Sequence, residues 1–236
     1  MKKKTKIAIF DIDGTIFRKN LAFELINELA WLRVFKKSIR DELVRLYTNW
    51  LNHKGVYEDY RKALIELYAK NIVGCHKEEV LHASRIVVPF FKDRTYIFTS
   101  QLIDKLRKSN YNIIAISGSP QEIVDEYNKH LKFDAVFGTV YELDKVNVYT
   151  GRAIFEPPKD KGQVVRQYVA ENGLIFKDSY GVGDTESDRK VLEIVDNPIA
   201  FNPNQNLKKI AEKNGWRIVV EKKDVIYEIQ SSYNRA

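Results

Sequence analysis

Residues 7–15 read IAIFDIDGT. The apolar run belongs to a predicted strand over Lys6–Phe10 that closes directly on Asp11, and Asp13 follows two residues later, before Gly14 lets the chain turn. In a parallel sheet, ligands bind beyond the carboxyl ends of the strands. Two carboxylates at that point divide labour well: one can attack while the other gives and takes a proton. A D-x-D start also opens an EF-hand loop. That reading needs a further Asp or Asn at the fifth loop position and Glu at the twelfth; here those positions hold Thr15 and Ala22, so it fails.

Outward from this stretch, strand-like runs recur at 111–116 (YNIIAI), 135–137, 179–182, 199–201 and 217–220. Amphipathic helical patterns separate the later ones. Ser119 and Pro120, as N-cap and first helical residue, open Gln121–Leu131. A helix over 161–171 stops at Asn172-Gly173, and Asn202-Pro203 opens another over 204–213 that stops at Asn214-Gly215. Strands alternating with helices predict an α/β fold with a parallel sheet covered on both faces. From about Leu21 to Lys108 the alternation breaks. Leu21, Leu25, Leu29 and Leu32 repeat at helical spacing, as do Leu43, Tyr47, Trp50 and Leu51, then Tyr57, Tyr60, Leu64, Leu67 and Tyr68. This predicts a helical insertion after the first strand, whose bulky residues (Phe23, Trp31, Phe35, Tyr47, Trp50, Tyr57, Tyr60, Tyr68) mostly form its own core. One or two of them would line an apolar pocket. Residues 139–143 and 146–150 flank Asp144-Lys145 as a small hairpin, and 231–236 read as a frayed polar tail.

Composition sets the class. With 236 residues, 44% apolar and 30% charged, the chain is ordinary globular protein, one domain or one domain carrying a sizeable insertion. The single cysteine, Cys75, excludes an internal disulfide framework and a cysteine-only zinc site. Nothing approaches about 18 uninterrupted apolar residues, so no membrane helix is expected. IAIF is far too short for a signal segment. A soluble cytoplasmic protein is the expectation. The balance of 39 basic and 32 acidic residues, net +7, is scattered along the chain. It suits anionic ligands. Without an RNP motif, a zinc finger or a dense basic helix, it does not point to a nucleic-acid partner.

Three further motifs sit at strand ends or helix starts. Ser117-Gly118-Ser119 follows the apolar strand ending at Ile116, where a hydroxyl and backbone N–H groups make an oxyanion site. Lys161 stands at a helix start, the end that disfavours cations, which invites a local anion; Lys159 is a rival two residues away. Gly183-Asp184-Thr185-Glu186-Ser187-Asp188 follows a strand and opens a helix with two aspartates four apart. Two acidic clusters at different strand ends are electrostatically costly unless a cation sits between them, and oxygen-only donors suit Mg²⁺.

In this order, FDIDGTIF, ISGS, Lys161 and VGDTESD resemble the four motifs of the haloacid dehalogenase superfamily of phosphohydrolases. The layout, including NPIAFNPNQNLKKIAEKNGW near the end, is similar to its phosphoserine phosphatase-like group, subfamily IB. The resemblance implies a Rossmann-like parallel-sheet core over 1–18 and 90–236, with a helical C1 cap inserted over 19–89. It implies a phosphatase that hydrolyses a small phosphorylated metabolite with Mg²⁺. Asp11 would be the nucleophile, forming an aspartyl-phosphate, and Asp13 the acid and base. Asp11, the Asp13 carbonyl and Asp184 would hold Mg²⁺, with Asp188 supporting; Ser117, Gly118 and Lys161 would hold the phosphoryl group. The presence of Asp13 favours phosphomonoester hydrolysis within the family. The resemblance also leaves alternatives open: a phosphoserine phosphatase proper, a phosphotransferase to an acceptor other than water, or a non-catalytic module binding a phospho-ligand or nucleic acid. Phosphoserine enzymes carry a cap Glu where this chain has Asn20, with Glu24 one turn later; Arg61, or Arg45, is the candidate for a substrate carboxylate.

Overall fold

Strand β1 (Lys6–Phe10) is buried on both faces, and alternate residues serve different layers. Ile7 and Ile9 pack against Val165 and Val169 of helix α7 (Lys161–Asn172) and Val191 of α8 (Arg189–Leu192). Ala8 and Phe10 face the opposite cluster, which holds Ile123, Val124 and Tyr127 of α6 (Gln121–Leu131). Each such isoleucine contributes roughly 1.5–3 kcal/mol by leaving water. The computed structural model describes residues 4–229. Besides β1 its strands are β2 (Asn112–Pro120), β3 (Ala135–Leu143), β4 (Tyr149–Phe155), β5 (Ile175–Gly183), β6 (Asn197–Phe201), β7 (Arg217–Lys222) and β8 (Val225–Ile229). They form one sheet in the order β4-β3-β2-β1-β5-β6-β7-β8. Strands β1, β2, β3, β5, β6 and β7 pair parallel, whereas β4 pairs antiparallel with β3 and β8 antiparallel with β7. The chain is therefore α/β with a parallel-dominant sheet. After β1 the chain adds strands on one side and then, from β5, on the other, so the switch point lies between β1 and β5.

Between β1 and β2 lie α1 (Leu21–Trp31), α2 (Ser38–Leu51), α3 (Tyr57–Asn71), α4 (Lys77–Phe91) and α5 (Ile97–Lys108). The outgoing and returning chains meet at an antiparallel bridge, Phe17 to Thr95; the Arg18 N–H donates to the Arg94 carbonyl at 2.9 Å. Leu25, Leu29, Val80 and Val87 of the helices share one apolar cluster with Phe10 and Tyr127. Among the described residues no helix is long and apolar enough to cross a membrane.

Several elements differ from the sequence reading. Strand β2 does not stop at 116 but runs to Pro120, and the N-cap of α6 is Pro120, not Ser119. Strand β3 continues from 137 through the expected first hairpin arm, and the second arm is β4, displaced from 146–150. Strand β8, exposed along its length, carries no buried alternation and exists by pairing with β7. The four-apart aspartates do not open a long helix: Glu186–Asp188 is a 3₁₀ turn and α8 has four residues. Trp31 is not cap core; it is 59% exposed, with the Arg40 guanidinium 3.9 Å from its ring centre. The expected frayed tail at 231–236 lies outside the described residues.

Candidate active site

The ends of β1, β2 and β5 converge on one cavity. Asp11 leaves β1 with its N–H bonded to the Val182 carbonyl of β5 at 2.9 Å. The Ile12 carbonyl then accepts from the N–H groups of Ile16 and Phe17, which closes the turn. Gly14 has φ +85°, and a side chain there would run into the Asp184 carboxylate, so both conformation and space demand glycine.

The two carboxylates of this loop have different partners. Asp13 Oδ1 accepts from the Leu21 N–H at 2.6 Å; Oδ2 accepts from the hydroxyls of Ser117 at 2.7 Å and Ser119 at 2.8 Å. Burial raises its proton affinity against these donors. Asp11 Oδ1 accepts from Lys161 Nζ at 2.5 Å. Its Oδ2 is buried and, among the described residues, has no hydrogen-bond partner. Burial pushes the Asp11 carboxyl up to about 7, against the pull of Lys161 and with the repulsion of Asp188 and Asp13.

Lys161 is 3% exposed, and its ammonium meets three acceptors: Asp11 Oδ1, Asp188 Oδ1 at 2.6 Å and the Ile116 carbonyl at 3.1 Å. Burial alone would discharge it, but Asp11 and Asp188 outweigh that and hold the proton. Asp188 uses its other oxygen to accept from the N–H groups of Asp184 and Thr185, both at 3.1 Å, which shapes the loop after β5. Asp184, held beside Gly14, is pushed well above the carboxylate range by burial and then by Asp11 and Asp188.

Crowded acids and a partnerless buried oxygen are what a hard cation relieves. Among the described residues no three His, Cys, Asp or Glu side chains converge to hold a metal. Two carboxylates, Asp11 and Asp184, remain. That donor set fits Mg²⁺, which usually keeps several waters and takes one or two carboxylates.

The structure brings Asp11, Asp13, Ser117, Lys161, Asp184 and Asp188 together, with Gly118 on the wall of the same cavity. Arg61 of α3 reaches that wall while its guanidinium grips Glu58 at 2.7 and 2.8 Å. Asn20 caps α1 by accepting from the Phe23 N–H at 2.9 Å and borders this cavity and a larger one beside it. Glu24, buried, lines the larger cavity and pairs with Lys19 at 2.7 Å. Lys159 and Arg45 stand elsewhere, on exposed pairs with Glu156 and Glu42.

The role of Ser119 escapes the sequence reading, and that of Tyr57 is read only as one of several cap aromatics. Ser119 was read as a helix cap; two residues from Ser117 on an extended strand it lies on the same face, so extending the strand would have found it. Tyr57 borders both cavities, close enough to Asp184 and Asp13 that, after burial, their charges add to the rise in its hydroxyl's proton affinity. No pattern in the sequence separates it from the other cap aromatics.

The model of the haloacid dehalogenase-like hydrolase family matches residues 8–193. A histidinol-phosphatase of Neisseria meningitidis is 24% identical over 226 residues, covering 90% of this chain and 97% of that protein. A phosphoserine phosphatase of Mycobacterium tuberculosis is 26% identical over 223 residues, covering 91% and 70%. A solved structure of phosphoserine phosphatase as a phospho-aspartyl intermediate analogue superposes with TM-score 0.63 at 20% identity, covering 94% of this chain and 96% of that one.

Proposed function

We infer what this chain does from one premise: it belongs to the haloacid dehalogenase-like hydrolase family. The site then reads as that of a phosphatase, and we propose a Mg²⁺-dependent enzyme that hydrolyses a small phosphorylated metabolite through an aspartyl-phosphate. The observation that carries this is the unequal pair at the end of β1: a buried Asp11 oxygen with no partner among the described residues, and an Asp13 carboxyl clamped by two hydroxyls and an N–H.

Asp11 would attack phosphorus in line and hold the phosphoryl group covalently. Asp13, with its raised proton affinity, would protonate the leaving alkoxide and then take a proton from the incoming water. Ser117, the Gly118 N–H and Lys161 would hold phosphoryl oxygens. Mg²⁺, held by Asp11, the Asp13 carbonyl and Asp184 with Asp188 behind them, would neutralise charge on the transferred group. Residues 19–89 would form a cap over a core of 1–18 and 90–236. The shared bridge at Phe17 and Thr95, where the chain leaves and returns, supports that division.

A binding module has no use for a second acid held this way, so Asp13 argues for catalysis; a phosphotransferase would differ only in its acceptor. The test is phosphate release from a panel of phosphomonoesters with Mg²⁺, for the parent and Asp11→Asn. Loss of the nucleophile is expected to lower kcat at least about 10³-fold, about 4 kcal/mol of barrier. Activity of the variant within about tenfold of the parent rejects the assignment.

A further inference from the structure

A cavity of about 500 Å³ opens beside the catalytic carboxylates, joined to them at Asn20, Tyr57 and Asp184, which border both spaces. Its wall carries five contiguous aromatic rings from three helices: Phe23 of α1, Tyr47 and Trp50 of α2, Tyr57 and Tyr60 of α3. Trp50 stacks on Tyr60 with 18° between planes and 5.7 Å between centres. Tyr57 meets Trp50 edge-on at 5.3 Å, and Phe23, Tyr47 and Tyr60 continue the chain at 5.5 and 5.9 Å. The rings so offer faces and edges to one space, the arrangement aromatic partners prefer. A purely structural cluster would be closed over; here the rings border a cavity in the size range of small-molecule sites.

Charge narrows the occupant. Among the described residues, the two cations on this wall are already engaged: Arg18 pairs with Glu221, and Lys19 pairs with Glu24 at 2.7 Å. A leaving group with its own carboxylate would meet Glu24 and Asp184 without an uncommitted cation opposite. A ring that is neutral or cationic meets no such penalty, since ring faces attract positive charge.

We propose that this cavity is the leaving-group subsite and that it takes a flat aromatic ring bearing no negative charge, carried on the alcohol of the phosphomonoester. The assignment rests on the phosphatase reading for its phosphoryl end and on the ring geometry for the rest. Aliphatic alcohols of equal size fill the space without stacking, and serine leaves most of it to water.

The test compares 2-phenylethyl phosphate, 2-cyclohexylethyl phosphate and L-phosphoserine as substrates of the parent and of Trp50→Leu with Mg²⁺. It also follows 2-phenylethanol and 2-cyclohexylethanol by saturation-transfer NMR on the same proteins, where no chemistry is needed. Expected is a kcat/KM at least about tenfold higher for the phenyl ester than for either other ester, about 1.4 kcal/mol. Trp50→Leu should reduce the phenyl-to-cyclohexyl ratio to below about threefold. If no ester is hydrolysed but 2-phenylethanol binds selectively and Trp50→Leu abolishes it, the ring subsite stands and the phosphatase reading falls. Esters hydrolysed without preference for the ring, or with phosphoserine preferred, overturn the proposal.

Discussion

At the scale of single residues, the site depends on who satisfies whom. Ser117 donates to Asp13 and accepts from the Ser119 N–H at 2.9 Å, while Ser119 donates to Asp13 and accepts from the Ala22 N–H at 3.1 Å. The Ser119 hydroxyl thus ties the Asp13 carboxyl to the start of α1. Ser119→Ala is expected to lower kcat about tenfold with little change in KM, because a loosened general acid misplaces its proton more than it weakens binding. Ser119→Thr should restore most of it. Unchanged kcat in Ser119→Ala would show that Ser117 and the Leu21 N–H hold Asp13 without help. The sequence pointed to Ser117 but not to this second hydroxyl, because Ser-Pro before an amphipathic run reads as a helix start. Tertiary pairing with β3 carries the strand through it instead, with Pro120 opposite Thr139.

At the scale of elements, the join between the helical segment and the sheet is held by one buried acid. Glu221 of β7, buried, accepts from the Phe98 N–H at 2.9 Å and from the guanidinium of Arg18, whose Nε also donates to the Thr95 carbonyl at 2.9 Å. Arg18 in turn lies over the Tyr96 ring. Glu221→Ala would leave the part-buried Phe98 N–H without its acceptor and strip the Arg18 guanidinium of its carboxylate, leaving it the Thr95 and Lys223 carbonyls. A loss of roughly 1–3 kcal/mol in urea unfolding is expected, and a loss below about 0.5 kcal/mol would mean water replaces the carboxylate. None of this was legible in the sequence: Glu221 and Arg18 lie at opposite ends of the chain, and neither sits in a motif. The strands that carry site residues were legible because their apolar runs end on chemistry, as IAIF ends on Asp11. Strand β8 was not, since exposed Val225, Ile226 and Tyr227 have no burial pattern to announce them. The aromatic helices were read by period alone, which gives the same spacing to a ring that packs inward, such as Tyr68, and to one that lines a cavity, such as Trp50.

At the scale of the whole molecule, the fold gathers Asp11, Asp184 and Asp188 from two strand ends against one lysine, and folding without a cation must bear that repulsion. Mg²⁺ should therefore stabilise the fold by about 2.7 kcal/mol at a hundredfold excess over its dissociation constant, read as a rise in the thermal midpoint. Asp184→Asn should raise the midpoint of EDTA-treated protein and abolish the Mg²⁺-dependent rise. An equal rise in that variant would place the ion elsewhere. The motif order and the alternation of strands and helices foretold this gathering, because a parallel sheet brings its strand ends to one edge whatever the length of chain between them.

In the proposed reaction Asp11 carries the phosphoryl group and Asp13 delivers the protons, and one transient measurement separates the two roles. p-Nitrophenolate leaves without an acid, so Asp13→Asn should still form the aspartyl-phosphate from p-nitrophenyl phosphate but hydrolyse it slowly. Rapid mixing with Mg²⁺ should give a burst of nitrophenolate close to the enzyme concentration, then a steady rate far below the parent's, with the phosphoryl group found on Asp11 after acid quench. A variant that shows no burst while the parent turns over, or a phosphoryl group on any other residue, would contradict the account.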